Sequence, residues 1–145
     1  YWIAHEALRA VWRREDEAPG AWRESLLAQA LFARLGGSDW AATRAFMAVA
    51  ARGQIGALAL AVAESAHQGD EQALALLQQA GHELARIVQA MTGRVGAQPV
   101  VAVGRVFDLH PAVTQGLRAA LPAAVALERS TLNLAVAAAR LASSA

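Results

Sequence analysis

Apolar residues recur at helical spacing along most of this chain, and one short run breaks that rhythm. Ile3, Ala7, Leu8 and Val11 share a face of a helix predicted over 2–16, whose end is crowded by the charges Arg13 to Glu17. Pro19-Gly20 breaks it. Leu26, Leu27, Ala30, Leu31 and Leu35 predict a second helix over 22–35, stopped by Gly36-Gly37. Ser38 or Asp39 caps a third helix reaching about residue 49. Gly53 marks a break or bend before a fourth, over 54–68. Asp70 then caps a long helix over 71–92, with a core stripe of Leu77, Ala80, Leu84, Ile87 or Val88, and Met91, ended by Thr92-Gly93.

The exception is Pro99-Val100-Val101-Ala102-Val103-Gly104-Arg105-Val106-Phe107. Its Val-rich, unalternated start predicts a strand over 99–103, buried on both faces as in a parallel sheet. Pro111 opens a helix reaching about Leu121, and Pro122 ends it. Ala123 to Leu127 is a weaker second strand, and Ser130 caps a last helix over 131–142. The expected architecture is therefore α/β but predominantly helical. One domain covers 1–145, helical over 1–95 and strand–helix–strand–helix over 96–145. Two parallel strands cannot stand alone, so further strands are expected before Tyr1. Tyr1 is not a Met, and the first residues already read as helix interior. The chain is expected to begin part-way through a larger protein.

Composition removes several chemistries. Hydrophobic residues make up 56% of the 145, enough to fill a core and too many for disorder. The net charge of +1 gives no reason to expect a nucleic-acid partner. Every basic residue is Arg, so a phosphate-loop lysine and a Schiff-base lysine are excluded. There is no Cys, which removes disulfides, thiolate metal sites and a Cys nucleophile, and fits a reducing cytoplasm. Charges interrupt the apolar stretches before the roughly 20 residues a membrane span needs, so no membrane partner is expected.

Few residues offer chemistry. His5, His67, His82 and His110 share no metal-ligand spacing and read as solvated or singly hydrogen-bonded, with His110 shaping the helix start at Pro111. Trp2, Trp12, Trp22 and Trp40 have no basic residues interleaved and read as helix contacts rather than base-stacking platforms. Gln68-Gly69-Asp70-Glu71 is explained by a turn and a helix cap, so no metal ligands are assigned. Gly104-Arg105 at the strand end stands out. It reads equally as a plain turn and as a backbone platform for a flat ligand such as a nucleotide, because ligands of open α/β sheets sit beyond the strands' carboxyl ends. Gly56 is a weaker candidate, since glycine within a helix costs up to about 1 kcal/mol against alanine and reflects close packing or a ligand pressed on the helix.

Three segments carry a resemblance. Tyr1-Trp2-Ile3-Ala4-His5-Glu6-Ala7 resembles the stretch following a Gly-Asp-Glu-Gly-Ser motif in N-acetylglucosamine kinases. These belong to the BadF/BadG/BcrA/BcrD-type group of the actin-like, sugar-kinase and Hsp70 ATPase superfamily. Ala66-His67-Gln68-Gly69-Asp70 with Ala80-Gly81-His82-Glu83-Leu84 resembles that family's central helix pair. Val101-Ala102-Val103-Gly104-Arg105-Val106-Phe107 resembles its adenosine-motif strand and turn.

The resemblance implies the C-terminal part of a ribonuclease-H-like lobe with a large helical insertion and a few parallel strands. It implies ATP and Mg2+ as cofactors, and an amino sugar (N-acetylglucosamine or glucosamine) as acceptor at its 6-hydroxyl. It places the phosphate loops, the catalytic Asp and most sugar contacts before Tyr1, so no catalytic residue is expected here and the fragment alone should be inactive. Gly104 and Arg105 would border the adenosine, and Gly56 would line the pocket from the helical side. Relatives are often dimers, so a homodimer is expected. Several relatives carry a second glycine where Arg105 stands, and an Arg there would crowd or clamp the ribose. A glycine–alanine pair is common where this chain has Asn133-Leu134, so no ligand contact is carried over from the last helix. The competing readings are an activator ATPase of the same superfamily, disfavoured by the absence of Cys, and a non-enzymatic helical interaction module. The latter would show an exposed apolar helix face and no pocket at Gly104.

Overall fold

A computed structural model describes residues 1–130. The predicted helix over 131–142, with Asn133 and Leu134, lies outside the described residues. The chain is mostly helical, with two short parallel strands. Helix α1 (Trp2–Glu17) buries Ile3, Ala4, Ala7, Leu8 and Val11, positions three or four apart on one face. It ends before Pro19, where the Glu15 carboxylate accepts the N–H groups of Gly20 and, at 3.1 Å, Trp22. Helix α2 (Leu26–Leu35) begins later than its apolar pattern predicts. The Ser25 hydroxyl accepts the Ala28 N–H at 3.2 Å and fixes the start there, leaving Ala21–Glu24 as a separate 3-10 turn.

Asp39 caps α3 (Trp40–Val49), accepting the Ala42 N–H at 2.7 Å. The α3 helix is tied to α1 by the Trp12 indole, which donates to the Thr43 hydroxyl at 3.2 Å and packs on Phe32 and Trp40. The predicted fourth helix is two: α4 (Arg52–Ala57) and α5 (Ala59–His67), jointed at Leu58. Gly53 lies inside α4 rather than at a break, because the Gln54 side chain accepts the Ala51 N–H at 2.7 Å and starts the helix earlier.

Asp70 holds two helices at once. One carboxylate oxygen accepts the Ala73 N–H at 2.9 Å, capping α6 (Glu71–Val95), and the other accepts the Leu27 N–H at 3.0 Å in the first turn of α2. The α6 helix continues through Thr92-Gly93 and stops at Gly96 with φ 80°. Its buried face is Ala73, Leu76, Leu77, Ala80, Gly81 and Ala85. Ile87 and Met91, expected in the core, are 63% and 52% exposed. Of the two alternatives, Val88 rather than Ile87 packs on the core, so the buried face runs through Gly81, Ala85 and Val88 and leaves Ile87 and Met91 outside it.

Strand β1 (Val100–Ala102) leads through a 3-10 turn, Arg105–Asp108, into α7 (Pro111–Ala120) and then β2 (Leu127–Arg129). The strands pair in parallel, Val100 opposite Leu127 and Ala102 opposite Arg129. Two expectations are corrected. The second strand lies at 127–129 rather than 123–127, because the chain after Pro122 turns, with the Val125 N–H donating to the Pro122 carbonyl at 2.9 Å. Nor is β1 buried on both faces: Ala102 is buried, while Val101, on the opposite face, is 54% exposed.

The tightest packing joins α6 to α7 through Gly81 and Gly116. A Cβ added to Gly81 would stand 2.2 Å from the Val113 carbonyl oxygen, and one on Gly116 would stand 2.1 Å from that of Gln78. Only glycine permits backbones this close. Gly81→Ala is expected to destabilise the chain by roughly 3 kcal/mol by forcing the helices apart. Gly93→Ala in the same helix, with no atom within 4 Å of the added carbon, is expected to stabilise by up to about 1 kcal/mol. Asp70→Ala, which uncaps two helix starts, is expected to cost about 2 kcal/mol, and Asp70→Ser about half of that. Urea unfolding of the variants checks all of these.

Candidate functional site

The site grows from the way β1 ends. After Val103 the backbone turns at Gly104, which takes φ 115° and ψ 157°. That region is essentially closed to residues with a Cβ. A Cβ at this point would meet nothing within 4 Å, so the glycine is required by backbone conformation and not by crowding. Gly104 and Arg105 are both exposed. The Phe107 N–H donates to the Gly104 carbonyl at 3.3 Å, and the Phe107 ring is buried, which anchors the turn to the core.

Two cavities flank this turn. One, of about 700 Å³, is a mainly apolar groove between the start of α1, the second half of α6 and the turn. Tyr1, Ile3, Leu84, Ile87, Met91 and Val106 form its walls. Its charged residues are Glu83, Arg86 and Arg94, of which Glu83 and Arg86 pair with each other at 2.9 Å. The other, of about 510 Å³, is a polar cleft beyond the carboxyl ends of both strands. His67, Asp108, His110, Thr114, Gln115 and Arg129 line it. Arg129, the last residue of β2, donates to the Asp108 carboxylate.

The three sequence-predicted residues stand near these cavities without lining them. Gly56, half-buried in α4, has the Tyr1 backbone nitrogen 3.6 Å from where a Cβ would stand. Arg52, one turn before it, holds its guanidinium 4.4 Å over the Tyr1 ring. Gly56 is thus behind the wall that Tyr1 gives to the groove, and Gly104 and Arg105 immediately precede the wall that Val106 gives.

Sequence reasoning missed the pairing of His67 and His110. The rings lie 4.4 Å apart, centre to centre, in the polar cleft. His110 is the N-cap of α7, its Nδ1 accepting the Ala112 N–H at 3.1 Å, and its side chain shapes the helix start. Burial pushes the His110 pKa below its ordinary value, and the neighbouring His67 pushes it the same way. The two lie on different helices, so no local spacing announces the pair. Among the described residues, no group of three His, Cys, Asp or Glu side chains is placed to hold a metal ion, and no helix is long and apolar enough to cross a membrane.

No protein-family model matches the chain, and no curated protein matches it with significance.

Gly104→Ala is expected to lower stability by about 1–3 kcal/mol through backbone strain alone, since the added methyl has free space. Urea unfolding measures it, and an unchanged midpoint would show that the turn relaxes into an ordinary conformation.

Proposed function

We propose that this chain supplies the adenosine side of the nucleotide cleft in an ATP-dependent, cytoplasmic amino-sugar kinase. The observation that carries the reading is Gly104, held in a glycine-only conformation at the carboxyl end of a strand in a parallel pair. That is where open α/β sheets take their ligands. On this reading the bare Cα of Gly104 faces the adenosine, Arg105 stands at the rim beside the ribose, and Gly56 backs the opposite wall through Tyr1. These residues bind and orient. Phosphoryl transfer rests on positioning and electrostatic stabilisation, and holding the nucleotide by its adenosine fixes where its phosphates lie.

ATP supplies the transferred phosphoryl group. The open backbone edge at Gly104 fits a flat nucleoside. The described residues offer no donor set for Mg2+, so no step is drawn through it. The phosphate loops and the catalytic Asp lie outside this chain on this reading.

A second reading, a helical interaction module, is favoured by two observations. Ile87, Met91 and Val95 are exposed along α6, and Gly104 lines neither flanking cavity. Calorimetric titration of ATP into the whole protein separates the two. Binding is expected for the kinase lobe, and none for the module. In the active protein Gly104→Val is expected to raise the KM for ATP about tenfold or more, against less than about twofold for the amino sugar. Equal effects on both would count against the assignment. Coupled assays with N-acetylglucosamine and glucosamine then choose the acceptor.

A further inference from the structure

We propose that His67 and His110 form a pH-sensitive clasp that holds the end of α5 against the start of α7 at neutral pH and opens in acid. The geometry carries this independently of any nucleotide. His110 Nδ1 accepts the Ala112 N–H at 3.1 Å, and it can do so only while that nitrogen carries no proton. The capping ring is therefore neutral, with its hydrogen on Nε2. A proton on Nδ1 removes the acceptor and uncaps α7.

The two rings sit at opposite helix ends. His67 lies in the last turn of α5. His110 lies at the first turn of α7, where the partial positive charge of the helix terminus disfavours a cation. With the rings 4.4 Å apart, a charge on His67 opposes protonation of His110. The other charged groups lining the cleft are Asp108 from the turn and Arg129 from β2, and these pair with each other. Thr114 and Gln115 from α7 are neutral, and α6, packed on α7, contributes nothing to the lining.

The direction of the pH dependence follows. His110 in the folded chain binds its proton below the ordinary value of 6.5, while the unfolded chain binds it near that value. The stabilisation is fully present above 6.5 and is lost as pH falls through the lowered folded value. Because the turn at Arg105–Asp108 runs directly into His110, opening of α7's first turn reaches the segment after Gly104.

The test is NMR on the full chain, combining imidazole nitrogen shifts with amide-exchange protection factors. His110 is expected as the Nε2–H tautomer at neutral pH. Protection at Ala112 and Val113 is expected to fall about tenfold or more between about pH 7.5 and about pH 5. His110→Ser keeps a capping oxygen without a titrating ring, and its protection factors should stay flat over that range. His67→Gln should move the loss to higher pH. A flat profile in the unaltered chain, the same loss in His110→Ser, or an Nδ1–H tautomer at neutral pH would each overturn the proposal.

Discussion

The contact on which the rest depends is the meeting of two bare backbones, Gly81 of α6 against Gly116 of α7. Side chains do not mediate it, so the helices approach as closely as main chain allows. Farther along, the Gln89 side chain donates to the Ala120 carbonyl at 2.6 Å, tying the C-terminal part of α6 to the end of α7. With both helices fixed, the segment from Gly96 to His110 is strung between two anchored ends. A two-stranded pair is marginal by itself. Here β1 and β2, three residues each, are held because α7 connects them and is itself locked to α6.

The helical part serves the same segment from the other side. Asp70 joins the start of α2 to the start of α6 through one carboxylate, so a shift in either helix is felt by the other. Burial of Ile3, Ala4 and Ala7 seats the beginning of α1 in the core, and Gly56 with Arg52 closes around Tyr1. The start of the chain is thereby presented to the groove that Val106 enters from the turn.

What the sequence made legible was local. Helical faces, the caps at Asp39 and Asp70, the stop at Gly36 and the start at Pro111 all depend on residues within a turn or two of each other. The remainder depends on partners distant in the chain. Gly81 reads as an ordinary helix residue until Gly116 is placed against it. His67 and His110 each read as solitary until α5 and α7 are docked. Ile87 and Met91 share a face with Leu84, but spacing says only that they point the same way, not that anything covers them. The second strand was misplaced because Ala123 to Leu127 is apolar enough for a strand, while the Pro122 carbonyl turns the chain first. At Gly104 the run's end was legible, since a glycine closing a Val-rich stretch marks a change of backbone conformation. Whether a ligand uses that change was not, because the same glycine serves a plain turn.

The two cavities beside that turn each combine apolar surface with polar groups. Small-molecule sites combine an apolar wall with a few convergent polar groups. The groove has the wall, from Tyr1, Leu84, Ile87 and Met91, and three charged residues, the paired Glu83 and Arg86 and also Arg94. The cleft has polar groups, from His67, His110, Thr114 and Gln115, beside apolar surface from Phe107, Leu109 and Pro111. The segment Gly104 to Asp108 lies between, giving Val106 to one and Phe107 and Asp108 to the other. Gly104 lines neither cavity, and a partner helix laid along the exposed Ile87 and Met91 of α6 would need the groove alone and leave Gly104 untouched.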